Sequence, residues 1–354
     1  MLRKNLRLSL ILALAFSLIE PVAIRAQAVD PILPEIDLGL AGLFSLFGTS
    51  AGSRIVVSYS DNATPPAASA PLSNLVPITN GHVGLYPAIS SNLIVQGEVP
   101  GSDPVYTPFP LTQTPTGPST PSWNSPYVTG GRVYTADRAP ASLATAKADA
   151  DRAFTAALAL NPDETNRGTP YANGNGHTLP NGSTLSADAP KVYHWTGDLN
   201  LNRDSTVNLT GALTDTIVLQ ITGDLLIGNN SQIVTLGTLR PENIFWVVSG
   251  NTYIFNEAAF TGYLLAAGNV TLYPSQHTQI ASVISKGNIV WWAGSKLQGL
   301  NPDLALLPSG IQRVGPITII RPVPTLELAC SPSSQTVEID HPATFYAYNG
   351  SGAY

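Results

Sequence analysis

The chain has 354 residues, enough for one large domain with attached segments. Only 11% of its residues are charged, against roughly 25% in ordinary soluble domains, and its 17 basic and 23 acidic residues form no basic stripe. This composition argues against nucleic-acid binding. The 30 glycines and 30 prolines favour a turn-rich, β-rich chain with a largely uncharged exterior.

The N-terminal residues 1–28 are predicted to be a signal peptide. A positively charged start precedes an apolar run at 8–19, which is too short to span a bilayer, and a small-x-small cleavage pattern follows at 26–28. A membrane anchor is the alternative. We expect a secreted or cell-surface protein with no membrane span after signal cleavage. Its single cysteine, Cys330, cannot form an internal disulfide.

Short strands, a proline-rich excursion and one helix are predicted before residue 160. Residues 36–60 and 76–87 indicate strands broken by glycine. The Pro-, Ser- and Thr-rich insertion at about 100–126 predicts irregular backbone, because proline lacks an N–H donor. Residues 140–160 predict one long helix that needs a sheet to pack against. Its apolar face is predicted to comprise Leu143, Ala146, Ala150, Phe154, Ala157 and Leu158.

Five related sequence motifs follow between residues 190 and 300: WTGDLNL, ITGDLLI, SGNTYIF, AGNVTLY and KGNIVWW. Each has a Gly, then Asp or Asn, then an apolar alternation that should point inward. The spacings of the Gly residues are 26, 27, 18 and 19, and such periods predict a solenoid or array. The predicted structural corners are Gly197-Asp198, Gly223-Asp224, Gly250-Asn251, Gly268-Asn269 and Gly287-Asn288.

The composition of the corners suggests why they turn. Gly adopts positive φ freely, and Asn and Asp tolerate the left-handed region, so each pair is predicted to bend the chain sharply. Stacked corners would let Asn amides pair along the axis. The alternative is a set of unrelated hairpin turns. A catalytic or calcium-binding carboxylate pair at Asp198 and Asp224 is the less favoured interpretation of the two acidic corners.

Several segments, taken in order, resemble the ice-binding-like family, the type I ice-binding proteins. Among them are IDLGLAGLFSLFG, PITNGHVGLYP, APKVYHWTGDLNL and NIFWVVSGNTYI, and the Ala-rich helix stands where the family has its long helix. The resemblance covers about 36–300. It implies a mostly β fold: a discontinuous right-handed β-solenoid (β-helix) of triangular section with one long α-helix packed alongside, at 29–302. It also implies that early strands complete coils begun late, which would explain the change in spacing.

The resemblance further implies an antifreeze or ice-recrystallisation-inhibiting protein that adsorbs to ice through one flat face. No enzyme activity, catalytic residue, cofactor or metal is expected. Such a face needs small side chains at regular spacing, few charges and a rigid backbone. The column before the corner Gly is mostly small and hydroxylic until Lys286, and further threonines lie in neighbouring strands. The predicted ice-binding residues are Thr196, Thr222, Ser249, Thr261, Thr271 and Thr278.

The alternative function is a structural or adhesin-like cell-surface solenoid that has lost ice activity and binds an extracellular polymer or a protein. It depends on the aromatic residues Tyr253, Phe255, Tyr273 and Trp292. These are predicted to be buried against the helix or a neighbour; if exposed, they would form an apolar or sugar-stacking patch. Parallel β-helix enzymes that cleave polysaccharides are a more distant possibility.

The C-terminal residues predict a separate module. Prolines indicate a linker at 303–324, and 325–354 resembles the first two strands of a bacterial immunoglobulin-like domain. Thirty residues cannot close such a sandwich. We therefore expect either a fragment of a longer surface protein or a disordered tail.

Overall fold

A computed structural model of the chain is mostly β with one long α-helix. The residues that it describes are 36–58, 78–97, 105–113, 123–137, 140–187 and 191–300. The predicted signal peptide, linker and immunoglobulin-like segment lie outside them, as does part of the proline-rich insertion. No helix in the described ranges is long and apolar enough to cross a membrane.

Within these ranges, ten short strands precede the long helix. They are β1 (Phe44–Gly48), β2 (Ile55–Ser58), β3 (Ile78–Thr79), β4 (His82–Leu85), β5 (Leu93–Gly97), β6 (Val105–Pro108), β7 (Thr112–Gln113), β8 (Trp123–Asn124), β9 (Val128–Thr129) and β10 (Val133–Thr135). The helix, α1, spans Pro140–Leu158 and so confirms the predicted helix, which ends two residues earlier than expected. Short 3-10 turns lie at Gly39–Leu43, Ser90–Asn92 and Pro241–Asn243.

The remaining described strands follow the helix. They are β11 (Glu164–Thr165), β12 (Thr169–Pro170), β13 (Gly176–Leu179), β14 (Ser183–Ala187), β15 (Lys191–Trp195), β16 (Asp198–Leu201), β17 (Thr206–Gly211), β18 (Ile217–Ile221), β19 (Leu225–Ile227), β20 (Gln232–Gly237), β21 (Ile244–Val248), β22 (Thr252–Ile254), β23 (Thr261–Ala266), β24 (Val270–Leu272), β25 (Thr278–Ser285), β26 (Ile289–Trp292) and β27 (Lys296–Gln298).

The strands form three sheets, which are mostly parallel. Sheet A has the order β11-β15-β18-β21-β23-β25-β1-β4-β10-β8-β7, with β27, β3 and β9 beside it. Sheet B has the order β12-β13-β16-β19-β22-β24-β26-β2-β5-β6, and sheet C is β14-β17-β20. The antiparallel pairs (β12 with β13, β5 with β6, β8 with β7 and β10) lie towards the ends of the stacks.

The order of strands in space differs from their order in the chain, as the resemblance implies. Strand β1 pairs with β25, so that Gly48 lies opposite Ser285, and β2 pairs with β26. The first strands of the chain therefore continue the stack where the last repeats end.

The change in repeat spacing has a different cause from the one expected. The longer repeats each contain a strand of sheet C, whereas the segment between Gly250 and Gly268 contributes only Ala259, which bridges Gln232 of β20. The later repeats are shorter because this third strand is left out, so the explanation by out-of-order coils was wrong.

Two apolar clusters stabilise the described part of the chain. The larger one lies inside the sheets and includes the fully buried Trp195, Trp246 and Trp291. The smaller one joins α1 to the outer side of sheet A, including Phe245 and Leu265. The helix face that packs there comprises Leu143, Ala146, Ala150, Ala153 and Ala157, with Phe154 partly buried.

One helix position was predicted wrongly. Leu158 is 39% exposed, whereas Ala153, which was not predicted, is fully buried. Leu158 follows buried Ala157 and is turned about 100° from it around the helix axis, which takes it off the packed face. The end of α1 is fixed by Gln220 of β18, whose side-chain amide donates to the carbonyls of Ala157 (2.7 Å) and Leu160 (3.0 Å).

Candidate functional site

The predicted Gly-Asp/Asn corners stack directly on one another. The N–H of Gly223 donates to the carbonyl of Gly197 at 2.9 Å, that of Gly250 to Gly223 at 3.0 Å, and that of Gly268 to Gly250 at 3.0 Å. Each corner thus lies between a strand of sheet A and a strand of sheet B. The stack places the residues beside the corners in regular lines.

The reason for glycine at the corners differs from the predicted one. Only Gly197 has a positive φ, of 88°; the other four corner glycines do not. At those four, a Cβ atom would collide with the corner below. It would lie 2.5 Å from the carbonyl oxygen of Gly223 if added at Gly250, and 2.6 Å from that of Gly268 if added at Gly287. Close approach of backbones, not left-handed geometry, excludes a side chain there.

The Asp and Asn residues of the corners form a hydrogen-bonded ladder, but not the predicted amide–amide ladder. Each side-chain oxygen accepts from the backbone N–H of the next corner, and none of these residues has a positive φ. The bonds are Asp224 N to Asp198 Oδ1 (2.8 Å), Asn251 N to Asp224 Oδ1 (2.6 Å), Asn269 N to Asn251 Oδ1 (2.9 Å), Asn288 N to Asn269 Oδ1 (2.8 Å) and Arg54 N to Asn288 Oδ1 (3.0 Å). The two carboxylates act here as acceptors in this ladder.

The residues that precede the corner glycines form a line that we call the corner row: Thr196, Thr222, Ser249, Ala267 and Lys286. Backbone bonds of 2.8–3.1 Å connect the rungs, from Thr222 N to Trp195 O up to Lys286 N to Ala266 O. Parallel pairing spaces the rungs by about 4.8 Å. All members are exposed except Ala267, which is half-buried. The hydroxyl oxygen of Thr222 also accepts from the N–H of Gly197 at 2.7 Å.

The structure brings together only half of the predicted ice-binding residues. Thr196, Thr222 and Ser249 share the corner row, whereas Thr271 lies half-buried in sheet B and Thr278 lies exposed at the start of β25. The prediction that Thr261 belongs to the ice-binding surface was wrong. It is only 7% exposed, and its hydroxyl donates to the carbonyl of Ile280 at 3.2 Å. It sits within a strand of sheet A that is buried along its whole length, which removes it from the candidate surface.

Beside the corner row lies the outer face of sheet B. Sheet A is covered on its outer side by α1, and sheet C has three described strands, so sheet B presents the longest open face of the described part. Its register aligns one outward column that has no charged member: Thr178, Asn200, Leu226, Tyr253, Thr271, Val290, Val56 and Ile94.

The four aromatic residues pack half-buried against neighbouring rings, which is one of the two expected arrangements, and not against the helix. Phe255 and Tyr273 have ring centroids 5.3 Å apart, and Tyr273 and Trp292 5.7 Å apart, with interplanar angles of 17° and 11°. Tyr253 stacks on Phe255 in the same way. This aromatic ladder lies on sheet B, whereas α1 packs on sheet A, so burial under the helix was wrong. The middle rings have neighbours on both faces and leave little ring face for a sugar.

A second line of corners was missed by the sequence analysis. Asp204, Asn230 and Glu257 all have φ of 57°, and the amide of Asn230 donates to the carboxylate of Asp204 at 2.9 Å. Each lies seven residues after a corner glycine. Their identities differ, so the constant offset was the available signal.

The charged residue of the corner row is paired. Lys286 is the only charged residue of the corner row, and its Nζ lies 3.6 Å from Asp151 Oδ1 on α1. At the other end of sheet A, a hydrogen bond from Lys191 lowers the pKa of Glu164. In the described residues, no three His, Cys, Asp or Glu side chains are grouped as metal ligands. The site is a surface of aligned small and apolar groups.

The chain is similar to known proteins in sequence and in fold. Residues 81–290 match the model of the family described as Ice-binding-like. An ice-binding protein of Flammulina populicola is 30% identical over 185 residues, which span 49% of this chain and 70% of the relative. Ice-binding protein K3-B1 of Typhula ishikariensis is 28% identical over 73% of this chain and 88% of its own length. The structure of an ice-binding protein from an Arctic yeast has the same fold, with a TM-score of 0.56 and 23% identity, covering 79% of this chain and all of that one.

Proposed function

This chain belongs to the ice-binding-like family, and from that premise we propose that it is an exported protein that adsorbs to ice. The surface that it uses is the corner row together with the adjoining outer face of sheet B. Adsorption involves no covalent chemistry, so the proposal includes no enzyme activity and no cofactor. Its partner is the ice surface.

The observation that carries this proposal is the regular, rigid alignment of small side chains at the corners. Thr196, Thr222 and Ser249 are held at the spacing of parallel strands, and the ladder of Asp and Asn side chains fixes every rung to the next. A surface that is already ordered loses little conformational entropy when it binds an ordered lattice of water. The first four residues of the row are uncharged and so carry no strongly held hydration shell that would compete with that lattice.

The fold and domain plan belong to the same proposal. We infer a discontinuous right-handed β-solenoid of triangular section at 29–302, of the type I ice-binding class. Parallel sheets, stacked corners and displaced first strands support it. We further propose secretion through the signal peptide at 1–28, and a linker at 303–324 leading to an incomplete immunoglobulin-like segment at 325–354.

The test is thermal hysteresis and ice-crystal shaping with the purified protein. We expect Thr222→Tyr to abolish both effects, because a ring in the middle of the corner row breaks its flatness. Thr196→Tyr should act in the same way without losing the hydrogen bond to Gly197. Thr278→Tyr is the matched control, because Thr278 is equally exposed but outside the row. If the unmodified protein at tens of micromolar neither shapes ice crystals nor produces thermal hysteresis, ice binding is excluded.

The aromatic ladder favours a second candidate, a cell-surface adhesive solenoid without ice activity. Leu226, Val290 and the half-buried rings of Tyr273 and Trp292 give sheet B an apolar strip. Such a strip suits an extracellular polymer or protein better than ice. Trp292 stands at the end of the ladder. Retention of the protein on insoluble polysaccharide, lost in Trp292→Ala and unaffected by Thr222→Tyr, would support this function instead.

A further inference from the structure

We propose that Asp151 and Phe154 of α1 hold the charge of Lys286 away from the corner row and so keep the row usable by ice. This inference rests on the proposed function and concerns the same surface. The first four residues of the corner row are uncharged, and Lys286 is the fifth. A long cation at that rung would stand over a surface that otherwise carries only small groups.

The contacts show where this charge is placed. The Nζ of Lys286 lies 3.6 Å from Asp151 Oδ1 and 4.6 Å from the centroid of the Phe154 ring. Its backbone stays in the row, because its N–H donates to Ala266 and its carbonyl accepts from the hydroxyl of Ser50 at 2.7 Å. The backbone thus completes the row while the side chain is directed to the helix.

The surroundings of Lys286 have the shape that this placement needs. A shallow depression lies where α1 meets the corner row, and Thr49, Pro87, Lys147 and Asp151 line it together with Lys286. Lys147 shares Asp151, at 2.5 Å. The carboxylate therefore balances two lysines at the boundary between the helix and the row.

The physical reason is the hydration of the ammonium group. An ammonium is a compact, strongly hydrated charge on a flexible stem. If free, it orders water around itself over the row and competes with the lattice arrangement. The carboxylate and the ring face replace part of that hydration shell. Because 42% of the side chain is exposed, neither contact is strong alone, and the placement depends on both. Asp151 and Phe154 are thus positioning residues.

The first test is the isosteric change Asp151→Asn. We expect it to lower thermal hysteresis at equal protein concentration, because it releases the cation. Lys286→Thr should raise thermal hysteresis, because it adds a fifth small rung. Glu164→Gln is the matched control. Glu164 pairs with Lys191 at 2.5 Å, and Lys191 lies 5.5 Å from the ring of Tyr193, so a similar arrangement is broken at the opposite end of the corner row from Lys286. We expect no change in ice activity for this control.

A double variant separates positioning from helix docking. If Asp151 acts by holding Lys286, Asp151→Asn has no effect in the Lys286→Thr background. If Asp151 only docks α1, its replacement lowers activity equally in both backgrounds, and the inference is overturned. Circular dichroism melts of all variants identify any that fail to fold, and Asp151→Glu, which keeps the charge, should restore activity.

A readout without ice keeps the inference separate from the proposed function. In the unmodified protein, the ring current of Phe154 should shift the ε-CH₂ protons of Lys286 upfield in NMR spectra, and Phe154→Leu should remove the shift. An active protein with unshifted Lys286 protons, or with an unchanged Asp151→Asn variant, overturns the inference alone. An inactive protein with shifted protons overturns the proposed function while the placement of Lys286 stands.

Discussion

Replacing Gly250 by alanine should destabilise the chain more than any conservative surface change. The new Cβ would lie 2.5 Å from the carbonyl oxygen and 2.7 Å from the carbonyl carbon of Gly223, and it would also meet Asp224 Oδ1. These backbone atoms cannot rotate away, so the two corners must separate by about 1 Å to reach ordinary contact distance. That separation weakens the bonds from Gly250 N to Gly223 O (3.0 Å) and from Asn251 N to Asp224 Oδ1 (2.6 Å).

The expected cost follows from these two effects. Overpacking costs about 1–3 kcal/mol, and each weakened hydrogen bond adds up to about 1 kcal/mol. We therefore expect the free energy of unfolding to fall by about 3 kcal/mol. In a domain of this size, that loss lowers Tm by roughly 6–12 °C. Urea unfolding followed by circular dichroism measures it.

Two alanine variants serve as controls for this prediction. Gly52 has no atom within 4 Å of an added Cβ and no positive φ, so Gly52→Ala should change stability by less than about 0.5 kcal/mol. Gly174 has equal space but a φ of 74°, so Gly174→Ala should cost about 1–2 kcal/mol from left-handed strain alone. Equal urea midpoints for Gly250→Ala and Gly52→Ala would refute the close-approach argument.

Three further outcomes are expected. Asp224→Ala leaves the N–H of Asn251 without its acceptor and should cost about 1–2 kcal/mol in urea unfolding, whereas Asp224→Asn keeps an oxygen there and should cost less than half as much. Gln220→Leu removes the bonds to the carbonyls of Ala157, in the last turn of α1, and of Leu160, just beyond it, so amide exchange should accelerate in the last turn of the helix while sheet B is unchanged; uniform acceleration would contradict this. The hydrogen bond from Lys191 lowers the pKa of Glu164, so its stabilisation is present above the unfolded-state pKa of about 4.3 and is lost as the pH falls through the lower folded-state value. The urea midpoints of Glu164→Gln and the unmodified protein should therefore differ at pH 7 and converge near pH 2.

The sequence allowed the elements to be predicted better than their causes. The five Gly-Asp/Asn motifs could be recognised in the sequence alone, because glycine and a short amide or carboxylate side chain recur in each. The reason for glycine at these positions could not be predicted from the sequence. Glycine permits both a positive φ and a close approach of two backbones, and only the position of the neighbouring corner shows which of them is required. Gly197 combines both, since its φ is 88° and an added Cβ would also lie 2.3 Å from the carbonyl oxygen of Asn175.

The parts of the candidate site that were predicted wrongly depend on which sheet a residue joins. Thr261 and Thr271 have the same identity and lie in neighbouring strands, yet one is buried in sheet A and the other half-buried in sheet B. Tyr273 and Trp292 could be recognised as one column, but the side that α1 covers was not readable from period-2 alternation. The pairing of Lys286 with α1 is likewise a contact between distant segments that no local pattern records.

The pairing of β1 with β25 has a consequence for how the protein is made. Gly48 and Ser285 are neighbours in space but are separated by most of the described chain. On the ribosome, β1 emerges long before β25, so the ladder between these two strands cannot form until the last repeats have been synthesised. Strands that are so far apart in the sequence pair slowly during folding. Completion of sheet A therefore comes late, after most of the described chain has been synthesised.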